Sequence, residues 1–199
     1  PECKVTLYCQ DEALATQASG NKQGAIYPHL QGSRSVIADL HAQCYHFAID
    51  FYKKLAASGI QFAHNWCGVL QQAFTDDLTA RYRQVAQVWP GLAQFIGAEY
   101  SSTLAGLPLP YPSLFFADGG WLAPYELCPA VATHLTELGS LQLEFHARVD
   151  ELQGEHGRWQ LKVNGRFDRA HFDAVIIAAG HLSHTFTQTA HLPLKPIRG

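Results

Sequence analysis

The run Ala174-Val175-Ile176-Ile177-Ala178-Ala179, apolar at every position and closed by Gly180, constrains the fold more than any other feature of this 199-residue chain. Alternating apolar and polar residues mark a strand with one wet face. An unbroken apolar run has no wet face and reads as a central parallel strand covered on both sides. Parallel strands need crossover connections, so helices must lie between them. The chain supplies both kinds of segment. Val5-Thr6-Leu7-Tyr8 reads as a short strand that starts in the middle of an architecture. From 35 to 57, Val36, Ile37, Leu40, Tyr45, Phe47, Ala48, Phe51 and Leu55 recur with a helical period, stopped by Gly59. Residues 60–74 read as one or two strands, 78–88 as a helix closed by Pro90-Gly91, and 114–122 as extended chain. Between the last two, 104–113 is a loop punctuated by Gly106, Pro108, Pro110 and Pro112. A helix over 124–138 carries Pro124 in its first turn and Gly139 at its stop. Short β segments follow at 141–145, 148–152, 158–163 and 166–169, with turn chemistry at 154–157 and a type I′ signal at Asn164-Gly165. The class is therefore α/β.

Composition narrows the roles open to the chain. With 47% hydrophobic and 16% charged residues it can bury a substantial core. No apolar run approaches the roughly 18 residues that a bilayer crossing needs, and no basic stretch followed by an apolar core opens the sequence. The expected address is cytoplasmic, with no membrane partner. Cys3, Cys9, Cys44, Cys67 and Cys128 are widely spread without a Cys-x-x-Cys pair, which argues against a disulfide framework and a zinc ribbon. A net charge of -3 shows no basic stripe, so phosphate contacts would have to come from local patches or another domain. Among eleven histidines, His41 with His46 and His181 with His184 have no third ligand at a suitable spacing, so no metal site is expected. Ser183 beside His184 lacks a nucleophile elbow.

Three small-residue motifs stand at the ends of expected strands: Ala18-Ser19-Gly20-Asn21-Lys22-Gln23-Gly24, Asp118-Gly119-Gly120-Trp121, and Ala178-Ala179-Gly180-His181. Glycine lets backbone approach a flat or charged ligand, and adjacent N–H groups then donate to its oxygens. Each could also be an ordinary turn. Their order resembles the D-amino-acid-oxidase-like flavoproteins. More specifically, Val5 to Cys9, Ala18 to Pro28, His64-Asn65-Trp66-Cys67-Gly68, Gly119-Gly120-Trp121-Leu122 and Leu192-Pro193-Leu194 are similar, in the same order, to the flavin domain of the bifunctional tRNA 5-methylaminomethyl-2-thiouridine biosynthesis family.

That resemblance implies an FAD/NAD(P)-binding Rossmann-like parallel sheet, here incomplete, with an inserted α+β substrate domain. The FAD-binding domain is expected at 1–34 and 146–190, and a partial substrate domain at 35–145 and 191–199. The family's Gly-x-Gly-x-x-Gly turn occurs nowhere in the sequence, so its first strand and turn are expected to lie outside these residues. Where the wider family has an acidic residue after the first strand, this chain has Cys9, with Asp11 and Glu12 close by. The cofactor implied is FAD, lined by Ser19, Gly20, Asn21, Gln23 and Gly24 along the flavin, by the backbone of Val149 near the adenine, and by Ala179 and Gly180 beneath. The reaction implied is oxidative removal of a carboxymethyl group from a modified wobble uridine of tRNA, and the partners implied are tRNA and an S-adenosylmethionine-dependent methyltransferase domain. No catalytic side chain is named, because the flavin accepts the electrons. An amino-acid or small-amine oxidase of the same fold, and a non-catalytic interaction module, are the competing readings.

Overall fold

A computed structural model describes residues 3–155 and 157–194. In chain order the elements are β1 (Val5–Tyr8), β2 (Gly24–Ile26), α1 (Val36–Ala57), β3 (His64–Asn65), β4 (Val69–Gln72), α2 (Asp76–Val88), β5 (Gln94–Ile96), α3 (Ala98–Ala105), β6 (Ser113–Phe116), β7 (Gly120–Leu122), α4 (Pro124–Glu137), β8 (Leu141–Glu144), β9 (Val149–Glu155), β10 (Arg158–Val163) and β11 (Arg166–Phe167). They divide into two compact units, Pro1–Leu14 with Leu135–Gly199, and Ala15–His134.

In the first unit β1 and β8 pair in parallel from Val5↔Leu141 to Tyr8↔Glu144. The pairing runs on past the strands: the Ala147 N–H donates to the Cys9 carbonyl at 2.9 Å and the His146 N–H to that of Asp11 at 3.1 Å. β9, β10 and β11 form an antiparallel meander. Asn164 and Gly165 both take positive φ, 48° and 79°, which is the type I′ turn that the Asn-Gly pair implies.

The second unit holds two three-stranded antiparallel sheets, β4-β6-β5 and β2-β7-β3. α1 begins where Ser35 Oγ accepts the Ala38 N–H at 3.1 Å, and α2 where Thr75 Oγ1 accepts the Leu78 N–H at 3.2 Å. Leu114 and Phe116 of β6 pack with Ala38 and Ala42 of α1, Val85 of α2, and Leu30 and Trp89. A second cluster joins Ile60, Phe62, Leu122 and Leu127.

One expectation is corrected. Residues 174–179 form no strand, and Ile176 is 90% exposed. The last pairing before them is Trp159↔Phe172, and a 3-10 helix, Gly180–Thr185, follows. A strand apolar on both faces needs parallel neighbours, and among the described residues β1 and β8 are the only parallel pair. Ile176→Asp is therefore expected to change the unfolding free energy of this chain by less than about 0.5 kcal/mol in a urea titration, whereas a buried Ile176 would make the loss several-fold larger. The loop expected at 104–113 lies between α3 and β6, and α3, an element the sequence pattern does not mark, overlaps only its first two residues. The α3 serines bond backwards, Ser101 Oγ to the Gly97 carbonyl at 3.0 Å and Ser102 Oγ to that of Ala98 at 2.8 Å, and the helix stops at Gly106 with φ 69°.

Candidate functional site

The residues singled out for the cofactor fall in both units. Ser19, Gly20, Asn21, Gln23 and Gly24 belong to the second, and Val149, Ala179 and Gly180 to the first.

In the second unit, Ala18–Gly20 is one 3-10 turn closed by the Gly20 N–H on the Gln17 carbonyl at 2.9 Å. Asn21 Nδ2 donates to the Ala18 carbonyl at 3.0 Å and holds the turn against the following residues. Ser19, Asn21, Lys22 and Gln23 are exposed. Together they offer a hydroxyl, two amides and an ammonium, a donor set that fits a flat, oxygen-rich, anionic group such as FAD. Gly24 then enters β2 opposite Leu122. A Cβ there would stand 3.2 Å from Pro124 Cγ, and one at Gly20 would stand 2.9 Å from the Ala15 carbonyl oxygen. Packing against the Ala15 backbone thus requires glycine at 20, whatever lies beside it, while at 24 Pro124 leaves a tight fit. The same requirement for glycine holds in the Asp118 to Trp121 motif: a Cβ at Gly119 would meet the Ile26 carbonyl at 2.8 Å, and one at Gly120 would overlap the Asn65 carbonyl.

In the first unit, Val149 opens β9, half-buried and paired with Val163. The preceding backbone is clamped by Asn164, whose Oδ1 accepts the Arg148 N–H at 3.1 Å and whose Nδ2 donates to the His146 carbonyl at 2.8 Å. Because 146 and 147 pair with Asp11 and Cys9, the end of β1 and the approach to Val149 are one continuous backbone surface. Ala179 and Gly180 open the 3-10 helix, Gly180 with φ 55° and open space where a Cβ would stand.

Between the β1-β8 pair and the meander lies a cavity of about 410 Å³, lined by Thr6, Tyr8, Gln142, Glu144, Asn164 and Asp168 among others. Tyr8 donates to Asp168 Oδ2 at 2.6 Å and sets its ring edge-on to Phe172, centroids 6.1 Å apart. Desolvation, then the bond to Asp168, pushes the Tyr8 phenol up. That same bond, followed by the Ala170 N–H, holds the Asp168 carboxyl below its usual range. A depressed carboxylate contributes stability above its ordinary titration range, near pH 4, and loses it as pH falls through the folded value. Tyr8→Phe is expected to cost about 1 kcal/mol at neutral pH, a deficit that narrows in acid. NMR titration should show the Asp168 carboxyl moving back toward its ordinary pKa.

The histidine pairs come to no ligand set. His41 Nδ1 lies 3.1 Å from the His29 carbonyl, His184 Nδ1 faces the His181 carbonyl, and among the described residues no three His, Cys, Asp or Glu side chains converge. No helix of the described residues is long and apolar enough to cross a membrane. Sequence reasoning missed the Tyr8-Asp168 pair, 160 residues apart, for which no sequence signal exists. It also missed the cross-strand row Ala25-Trp121-Asn65, which only the strand register reveals.

The fold of this chain is shared with solved glycine oxidases. Glycine oxidase from Bacillus cereus ATCC 14579 superposes with a TM-score of 0.73 at 16% identity, over 94% of this chain and 52% of its own. Glycine oxidase from Geobacillus kaustophilus does so at 0.72 and 16%, over 92% and 50%. The profile described as FAD dependent oxidoreductase matches residues 2–199, and the chain belongs to that family. Its cofactor is FAD. The chain is 38% identical over 196 residues to the tRNA 5-methylaminomethyl-2-thiouridine biosynthesis bifunctional protein MnmC of Pseudoalteromonas translucida (strain TAC 125), covering 97% of this chain and 29% of that protein. The like-named protein of Vibrio vulnificus (strain YJ016) is 36% identical over 200 residues, with 98% and 29% covered. The chain thus spans less than a third of the length of these relatives.

Proposed function

We propose that this chain is part of the oxidoreductase half of a bifunctional tRNA-modifying enzyme. The substrate is the 5-carboxymethylaminomethyl side chain of a wobble uridine, with or without 2-thiolation. FAD, when bound, would supply the two-electron acceptor for the hydride that leaves the carboxymethyl carbon bonded to the secondary amine. Water then adds to the resulting C=N bond, the C–N bond breaks, and the products are the aminomethyl nucleoside and glyoxylate. The freed amine is methylated by an S-adenosylmethionine-dependent domain of the same protein.

This chain's part is to hold and orient. Ser19, Gly20, Asn21, Gln23 and Gly24 form the strip along the flavin, the Val149 backbone meets the adenine, and Ala179 and Gly180 pass beneath. The domain division that goes with this role is 1–34 with 146–190 for the cofactor and 35–145 with 191–199 for the substrate. The observation that carries the reading is the 38% identity maintained over 97% of the chain.

The test is to incubate the full-length protein, loaded with FAD, with tRNA bearing the carboxymethylaminomethyl group and to follow the nucleosides by mass spectrometry. Conversion to the aminomethyl nucleoside with equimolar glyoxylate is expected. Turnover of glycine or N-methylglycine with none of the tRNA would instead establish a small-amine oxidase.

A further inference from the structure

Ala25, Trp121 and Asn65 stand in one register row across the β2-β7-β3 sheet. Opposed residues of antiparallel strands share a face. The neighbouring row, Gly24, Leu122 and His64, faces inward, where Leu122 is 5% exposed among Phe62 and Leu127. The Ala25-Trp121-Asn65 row therefore faces away from that core. Its residues are unusual for plain surface. Trp121 is half-buried, yet it packs in neither core cluster and meets no other ring among the described residues. The Asn65 amide is exposed and has no hydrogen-bond partner among the described residues.

The row is also held firmly. The Ala123 N–H donates to the Ala63 carbonyl at 2.8 Å, the Gly68 N–H to that of Gly119 at 2.9 Å, and Glu126 Oε2 accepts the Ala63 N–H at 2.7 Å. Gly120 brings its backbone hard against Asn65. A large ring and a free amide are thus fixed on a rigid sheet, with the small Ala25 leaving room beside the indole. Ala25 directly follows Gln23 and Gly24, so this surface begins where the cofactor strip ends.

We propose that Trp121 and Asn65 bind the pyrimidine ring of the nucleotide substrate, the indole as its stacking surface and the amide on its N3–H and O4 edge. The primary amide presents a donor and an acceptor side by side, which matches that edge, and unstacked bases are taken up on aromatic faces in this way. The ring's side-chain amine is thereby offered to the strip at 19–24. This inference rests on the tRNA reading above and adds the residues that select a pyrimidine.

The experiment uses the full-length, FAD-loaded protein and an anticodon stem–loop carrying the carboxymethylaminomethyl uridine, with anaerobic flavin bleaching followed in single turnovers. Trp121→Ala is expected to raise the half-saturating stem–loop concentration at least about tenfold, with the limiting rate and flavin occupancy unchanged. Trp121→Phe should recover most of that loss. Asn65→Ala, at an exposed position where folding is not at risk, should raise it several-fold. Unchanged half-saturation in both alanine variants, or a fall in limiting rate alone, would overturn the inference while leaving the tRNA reading intact. A wild-type protein that no stem–loop bleaches would remove that reading, and this inference with it.

Discussion

FAD titrated into the purified 199-residue chain is expected to remain almost entirely free, although the family is defined by this cofactor. The pyrophosphate carries two negative charges, and backbone N–H groups at a glycine-turned helix N-terminus are the usual means of meeting them. No Gly-x-Gly-x-x-Gly occurs in the sequence. On the reading proposed above, the groups at 19–24, 149 and 179–180 meet the flavin and adenine, not the pyrophosphate. Two unmet charge-assisted contacts at about 1.5–3 kcal/mol each amount to a loss of about 10² to 10⁴ in affinity. Flavin fluorescence followed during the titration, with equilibrium dialysis as a second measure, checks this. Tight stoichiometric binding would show that the strip and the Val149 surface suffice without that turn.

The parts of the fold legible in the sequence are those whose signal is local. α1 announces itself through its periodicity and Gly59 at its stop, α2 through Pro90-Gly91 beyond its end, and α4 through Pro124 in its first turn and Gly139 at its stop. The Asn164-Gly165 turn is legible for the same reason, because its positive φ values are a property of those two residues. Residues 174–179 fail because burial is not local: apolar composition states what a segment needs, and the neighbours that would cover it must come from elsewhere. α3 carries no such local signal: its run Glu99-Tyr100-Ser101-Ser102-Thr103 has no apolar stripe, Ser101 and Ser102 bond to carbonyls four residues back, and Ser101 is fully buried.

The candidate site divides along the same line. The strip at 19–24 stands out in the sequence because its residue types are unusual together. Its glycines, however, answer to Pro124 and the Ala15 carbonyl, which no reading of the strip alone reveals. The pairing of Tyr8 with Asp168, and the row that sets Asn65 beside Trp121, depend on register between distant segments. Single-sequence patterns carry no information about that.

Phe116→Ala is expected to have the largest effect on stability of any single change considered, about 3–5 kcal/mol. Phe116 is 1% exposed and sits on β6, the central strand of its sheet, between β4 and β5. Its ring fills the space between that sheet and the helices that carry Ala38, Ala42 and Val85, small residues that cannot expand to close a cavity. The Tyr27 ring lies 5.8 Å away and would lose its one ring neighbour among the described residues. The damage should not stop at the core. The Phe116 carbonyl accepts the Gly119 N–H at 3.1 Å, and this turn leads directly into Gly120 and Trp121. Loosening it frees the strand that aligns Ala25 with Asn65, so the variant should lose substrate affinity along with stability. Urea unfolding with an unchanged slope and a lowered midpoint is the expected result. A loss below about 1.5 kcal/mol would mean that the surrounding helices collapse onto the vacated space, and that β6 does not hold the platform in place.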